Sequence, residues 1–150
     1  MTDPNQIIEK LGEQLSVIGT EAPYKTGIGQ TIYLYDYQRE GFELPSIAIG
    51  TRNFQLDRTD ENRRGQPLSA RARGMDLIIE AAMKGAPEDA QRLAIDMLSD
   101  IERALAVKTG AAPLGTFGIR FTTAQILDRP AGVDATVLQI IGSADYQVRT

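Results

Sequence analysis

The chain contains no cysteine, no histidine and no tryptophan. Without cysteine there is no disulfide framework, no thiolate nucleophile and no zinc–sulfur site. The lack fits a reducing cytoplasm and leaves a cysteine-free secreted protein open. Without histidine the commonest general base and metal ligand is missing. A serine triad cannot be assembled, and no G-x-S-x-G stretch is present. No G-x-x-x-x-G-K-[ST] stretch occurs, which excludes a P-loop. Gly27-Ile28-Gly29 has no third glycine at the dinucleotide-binding spacing and opens no helix, so it reads as a flexible loop. Long apolar runs are also missing. None approaches the roughly 18 residues of a membrane-spanning helix. Met1-Thr2-Asp3-Pro4 shows no basic region leading into an apolar one, so no signal peptide is expected.

What is present suits one domain with a core. The chain has 150 residues, 42% of them hydrophobic, and a formal net charge of −4. A chain of this length buries about two-thirds of its unfolded surface and needs no covalent staple. Its acidity argues against nonspecific nucleic-acid binding, which needs a basic footprint.

The pattern centres on residues 69–108. From Ala70 to Met83, the side chains of Met75, Leu77, Ile79, Ala81 and Met83 fall on one face of a strand, with Asp76 and Glu80 on the other. That alternation predicts one buried and one solvated face. After Gly85, Pro87 suits a first helical position, and Glu88 and Asp89 complement the helix dipole. Ala90, Leu93, Ala94, Met97, Leu98, Ile101, Ala104 and Leu105 then recur at helical spacing, up to Lys108 and a stop at Gly110. One long helix lying across one sheet is the expected centre.

The remaining elements follow from local signals. Asp3 caps a first helix over Pro4–Ser16, with Pro4 at its first position and Ile7, Ile8, Leu11 and Leu15 as its apolar stripe. Thr31–Tyr37 is rich in β-branched and aromatic residues and predicts a strand. A turn at Glu40-Gly41 and a second strand over Ser46–Leu56 come next. Asp57–Leu68 offers almost nothing to bury and predicts an exposed arm. Loop Gly110–Gly115 precedes a strand over Thr116–Leu127. A turn over Asp128–Gly132 leads to a last strand, Asp134–Val148, in which Gly142 marks a bulge. The fold class is therefore α+β: a mainly antiparallel sheet of about five strands, one long helix packed across it, and an N-terminal helix.

Candidate sites are few. Asp57, Asp60, Glu61 and Asn62 cluster without the alternating frame or distal glutamate of a calcium loop, and read as a solvated arm. Asp96 and Asp100 lie four apart on one helical face. Paired carboxylates can do acid–base work, but this face is expected to meet solvent. Arg52, Arg58, Arg63, Arg64, Arg71 and Arg73 concentrate around the arm against Asp57, Asp60 and Glu61, so the arm is locally basic on an acidic protein. It reads either as a solubilising loop or as an electrostatic contact with an acidic partner.

The layout resembles the tail terminator (tail completion) proteins of long-tailed bacteriophages and related gene transfer agents. The resemblance spans nearly the whole chain. It rests on the N-terminal helix, the strand pair with the polar arm Asp57–Leu68 and the long strand Ala70–Met83. It continues through the helix Pro87–Val107, with Leu98-Ser99-Asp100-Ile101-Glu102, and the two closing strands. It implies a structural virion subunit that forms a hexameric ring. Such a ring caps the head-proximal end of the tail tube, ends tube polymerisation and docks the neck. Its partners would be copies of itself, the major tail tube protein and a neck or head–tail connector protein. It would sit in the virion after assembly in the host cytoplasm. Neither a catalytic site nor a cofactor, a metal, a membrane contact or sequence-specific nucleic-acid recognition is implied, and DNA would pass through the ring. The arginines named above would be its assembly contacts. A neighbouring head–tail connector role remains open. The competing class is a small α+β enzyme or ligand-binding module, whose mark would be an apolar pocket with convergent polar groups.

Overall fold

The computed structural model describes residues 3–36, 43–56, 70–106, 119–127 and 134–149. It is an α+β fold with a six-stranded mixed sheet. The strands are β1 (Ile32–Leu34), β2 (Ser46–Gly50), β3 (Phe54–Gln55), β4 (Ala70–Lys84), β5 (Ile119–Leu127) and β6 (Ala135–Arg149). The helices are α1 (Pro4–Leu15) and α2 (Ala90–Ala106). The sheet order is β1-β2-β4-β6-β5, with β3 also paired to β4.

The long antiparallel pairing of β4 with β6 forms the spine, in register from Ala70↔Arg149 to Lys84↔Ala135. The expected alternation in β4 holds. Met75, Leu77, Ile79 and Ala81 join one core with Leu138, Ile140, Ala144 and Tyr146 of β6 and Ile47 and Ile49 of β2. Both helices lie on that face. α1 supplies Ile7, Ile8, Leu11 and Leu15, and α2 supplies Ala94, Met97, Ile101 and Ala104. The opposite face departs from expectation. Glu80 is only 5% exposed, not solvated, and Ile78, Ala48 and Gln139 are buried beside it. A buried polar group needs partners. Glu80 Oε1 accepts from Gln139 Nε2 at 2.9 Å, and Gln139 Oε1 accepts from Gln125 Nε2 at 2.7 Å. Side chains of β4, β6 and β5 thus form one polar row across the sheet.

The start of α1 is satisfied locally, the end of α2 by a distant residue. Asp3 caps α1, accepting from Asn5 N at 2.9 Å, and Gln6 completes a reciprocal box back to the Asp3 N–H at 3.2 Å. Pro87 opens a short 3₁₀ turn, Pro87–Asp89, ahead of α2. The last carbonyls of an α-helix have no partner within the helix. The Gln14 amide of α1 donates to the carbonyls of Ala104 at 3.4 Å and Leu105 at 3.3 Å, tying the two helices together.

Four expectations need correction. The first strand is shorter than Thr31–Tyr37 because Tyr35 adopts φ 63°, which ends the extended run. β1 pairs with β2 in parallel and the other described pairings are antiparallel, so the sheet is mainly antiparallel as expected. The span Ser46–Leu56 is two strands. Gly50 faces Ile78 and Phe54 faces Met75, so one strand carries an extra residue, a bulge between β2 and β3. Gly142 sits inside β6, and the bulge it accompanies is in β5, between Phe121 and Thr123. Last, Gly27-Ile28-Gly29 is a packed turn and not a flexible loop. Ile28 is fully buried, and a side chain on Gly29 would strike the backbone of Leu15 and Ile18. The turns at Glu40-Gly41 and Asp128–Gly132, the loop Gly110–Gly115, Lys108 and the arm Asp57–Leu68 lie outside the described residues.

Candidate assembly surface

The side-chain chemistry that could mark a reaction is sparse where it can be seen. Among the described residues no group of three or more acidic, histidine or cysteine side chains could hold a metal ion. No helix among them is long and apolar enough to cross a membrane. Asp100, expected on the solvent side, is 2% exposed. Its carboxylate accepts from Thr26 Oγ1 at 2.7 Å, Thr26 N at 2.9 Å and Lys25 N at 3.0 Å. The group is saturated by a loop and acts as a structural clamp. Asp96, one turn away, is partly exposed and lies 3.8 Å from Lys25 Nζ. These two carboxylates serve the loop of Lys25 and Thr26 separately and do not converge on an open site.

The predicted arginine contacts are only partly visible. Arg52 is exposed on the bulged link between β2 and β3. Beside it, Asn53 Nδ2 donates to Asp76 Oδ2 at 3.0 Å. Arg73 lies in β4 opposite Tyr146, half-buried, with no partner for its Nε among the described residues. Arg71 lies in the same strand opposite Val148. Arg58, Arg63 and Arg64 fall outside the described residues. The visible arginines are therefore strung along β4 and its β3 margin.

A second surface lies at the two ends of the sheet. β5 is the terminal strand, with no neighbour on its outer side among the described residues. It is nine residues long. Arg120 is its single charge, at one end, and lies 3.9 Å from Asp145 Oδ2. From Phe121 to Leu127 the strand is uncharged, and Thr122 to Ile126 are all exposed. Natural edge strands are usually short, charged or covered. β5 is nine residues long, carries one charge near its start and a bulge between Phe121 and Thr123, and among the described residues nothing pairs with its outer side beyond that bulge. At the other end, Leu34 of β1 and Tyr35, which follows it, are both exposed. Tyr35 Oη donates to Glu9 Oε1 of α1 at 3.4 Å. Desolvation, then the nearby Glu9 charge, raises the Tyr35 pKa above its ordinary value. Phe54 and Leu56 at β3 and Ile126 at β5 add further exposed apolar side chains at the margins.

Comparison with protein-family models gives no match. Comparison with curated proteins gives none either.

In the sequence, the stretch from Phe121 to Leu127 already showed its missing charge. Its position at the end of the sheet did not show, because that depends on which strands pair across the fold.

Proposed function

We propose that this chain is a ring-forming assembly subunit of the tail terminator kind, a virion protein that catalyses no reaction. Copies of it close into a ring, most simply of six. The ring caps the head-proximal end of a phage-type tail tube, stops its growth and receives the neck. The observation that carries the reading is the outer edge of β5: nine residues, uncharged from Phe121 onward, exposed from Thr122 to Ile126, and without a partner strand among the described residues. Such an edge is a template for another strand, and head-to-tail contacts that close on themselves make rings. The layout described above and the exposed apolar residues at both sheet margins support the same reading. The arginines around the arm, Arg52, Arg58, Arg63, Arg64, Arg71 and Arg73, then serve contacts with carboxylates on a neighbouring subunit or tube protein. A guanidinium binds a carboxylate through paired hydrogen bonds.

The experiment is a tube-growth assay. Purified tail tube protein polymerises in the presence and absence of this chain, and tube lengths are read by electron microscopy. The proposal expects tubes of limited length with a ring of extra density at one end. Tubes that grow unchanged and uncapped would overturn it.

A further inference from the structure

We propose that the seam between copies is a strand junction: the outer edge of β5 takes β1 of the next copy, antiparallel, with Ala124 opposite Leu34 and Ile126 opposite Ile32. The inference rests on the ring reading above and specifies its interface.

Strand direction comes first. β5 is antiparallel to β6 and β6 to β4, so β5 runs with β4. β2 is antiparallel to β4 and β1 is parallel to β2, so β1 runs against β4. The two margins of the sheet therefore run in opposite directions. Copies related by rotation about an axis along the strands keep those directions. β5 of one then meets β1 of the next as an antiparallel pair, the more stable arrangement.

Register is the second argument. Following the pairings across the sheet, Leu34 lies in one row with Ile49, Ile79, Ile140 and Ala124. Ile32 lies in one row with Ile47, Ala81, Leu138 and Ile126. Both margins end on the same rows. A closed ring needs every copy at one height, and here no sliding is required to reach it. The faces agree as well. Ile32, Leu34, Ala124 and Ile126 all belong to the helix-bearing side, so apolar side chains continue across the junction. A slip of one residue would turn each to the wrong face.

The chemistry fits. Leu34 is 37% exposed and Ile126 44%, large apolar groups left at opposite margins. β1 is only three residues long, so one junction supplies few hydrogen bonds. Closure, in which each copy is held at both margins, is what makes such short seams sufficient.

The test uses the absence of cysteine. Leu34→Cys and Ala124→Cys are introduced together and singly, and each protein is oxidised and run without reductant. Directly opposed residues of an antiparallel pair come within disulfide reach. The double variant should give a ladder of linked copies ending at the ring size, with both single variants staying monomeric on the gel. Both positions are at least partly exposed, and melting temperatures close to the parent protein's show that the fold is kept. Dimers from Ala124→Cys alone mean that β5 pairs with itself, which overturns the proposal. Rings seen by native mass spectrometry without a ladder in the double variant overturn the seam and leave the ring reading standing. No particle above monomer, with or without tail tubes, overturns both.

Discussion

Asp100 on α2 holds Thr26 through two hydrogen bonds, one from the hydroxyl at 2.7 Å and one from the backbone N–H at 2.9 Å, across 74 residues of sequence. The loop so anchored leads directly into the turn whose Ile28 is fully buried in the core. The carboxylate is thus a tie between α2 and the chain that feeds β1. Asp100→Ala leaves the Thr26 hydroxyl and N–H without their acceptor in a buried place. The expected loss is on the order of 3 kcal/mol, since bonds to charged groups contribute about 1.5–3 kcal/mol each and do not simply add. Asp96→Ala should cost less than about 0.5 kcal/mol, because its ion pair with Lys25 is long, at 3.8 Å, and that lysine is exposed. Urea unfolding of both variants checks the contrast. Equal midpoints would mean that the clamp contributes nothing.

The helix stripe gives a graded expectation. Ile101 is buried in the core, whereas Leu98 is only partly buried against it. Ile101→Ala should cost about 2–5 kcal/mol, the range for truncating a large buried aliphatic side chain. Leu98→Ala should cost less than Ile101→Ala. The reverse order in denaturation midpoints would mean that α2 is rotated about its axis relative to this description.

Gly142 faces the β5 bulge, and a Cβ there would strike the Arg120 carbonyl and the Phe121 ring. Because Arg120 contributes backbone at that point, the neighbour cannot simply rotate away. Gly142→Ala is therefore expected to loosen β5 from β6 specifically. Amide hydrogen exchange should speed up in Ile119–Leu127 while α1 keeps its protection. Uniform or unchanged exchange would contradict this account of the bulge.

Tyr35 offers a titration. Its pKa is raised first by desolvation and next by the Glu9 charge and hydrogen bond. A raised folded-state pKa gives stability that is complete below the unfolded value, about 10, and is lost as pH climbs through the folded value. Glu9→Gln should lower the Tyr35 pKa part of the way, because desolvation remains. NMR titration of the ring resonances reads this directly. An unchanged midpoint would break the link to Glu9.

Much of the fold was legible because periodicity encodes which face is buried. Asp3 with Pro4, the alternation from Met75 to Ala81, and the stripe through Leu93, Met97 and Ile101 each report a local environment, and each lies where its pattern places it. What failed depended on distant partners. Nothing near Glu80 announces that Gln139 lies across from it, so its polar character suggested solvent. Asp100 was misplaced for the same reason, its partner Thr26 being far back in the chain. The early end of β1 was hidden because Tyr35 takes a left-handed conformation that its residue type does not advertise. Which strands lie at the sheet margins could not be read either, since that depends on how strands far apart in sequence pair.

The arginine hypothesis stands apart from the sheet margins and is tested separately. Arg63→Glu with Arg64→Glu should leave the melting temperature within about 2 °C of the parent, as surface substitutions do. It should also prevent assembly or tail completion. Normal completion would leave the arm as a solvated loop.

The central claim is that copies of this chain close into a ring, and native mass spectrometry tests it most directly. The protein is measured over micromolar concentrations, alone and after incubation with tail tubes. The account predicts a discrete particle of about six times the 16.4 kDa chain mass, with no open-ended series above it. A monomer under every condition would contradict it.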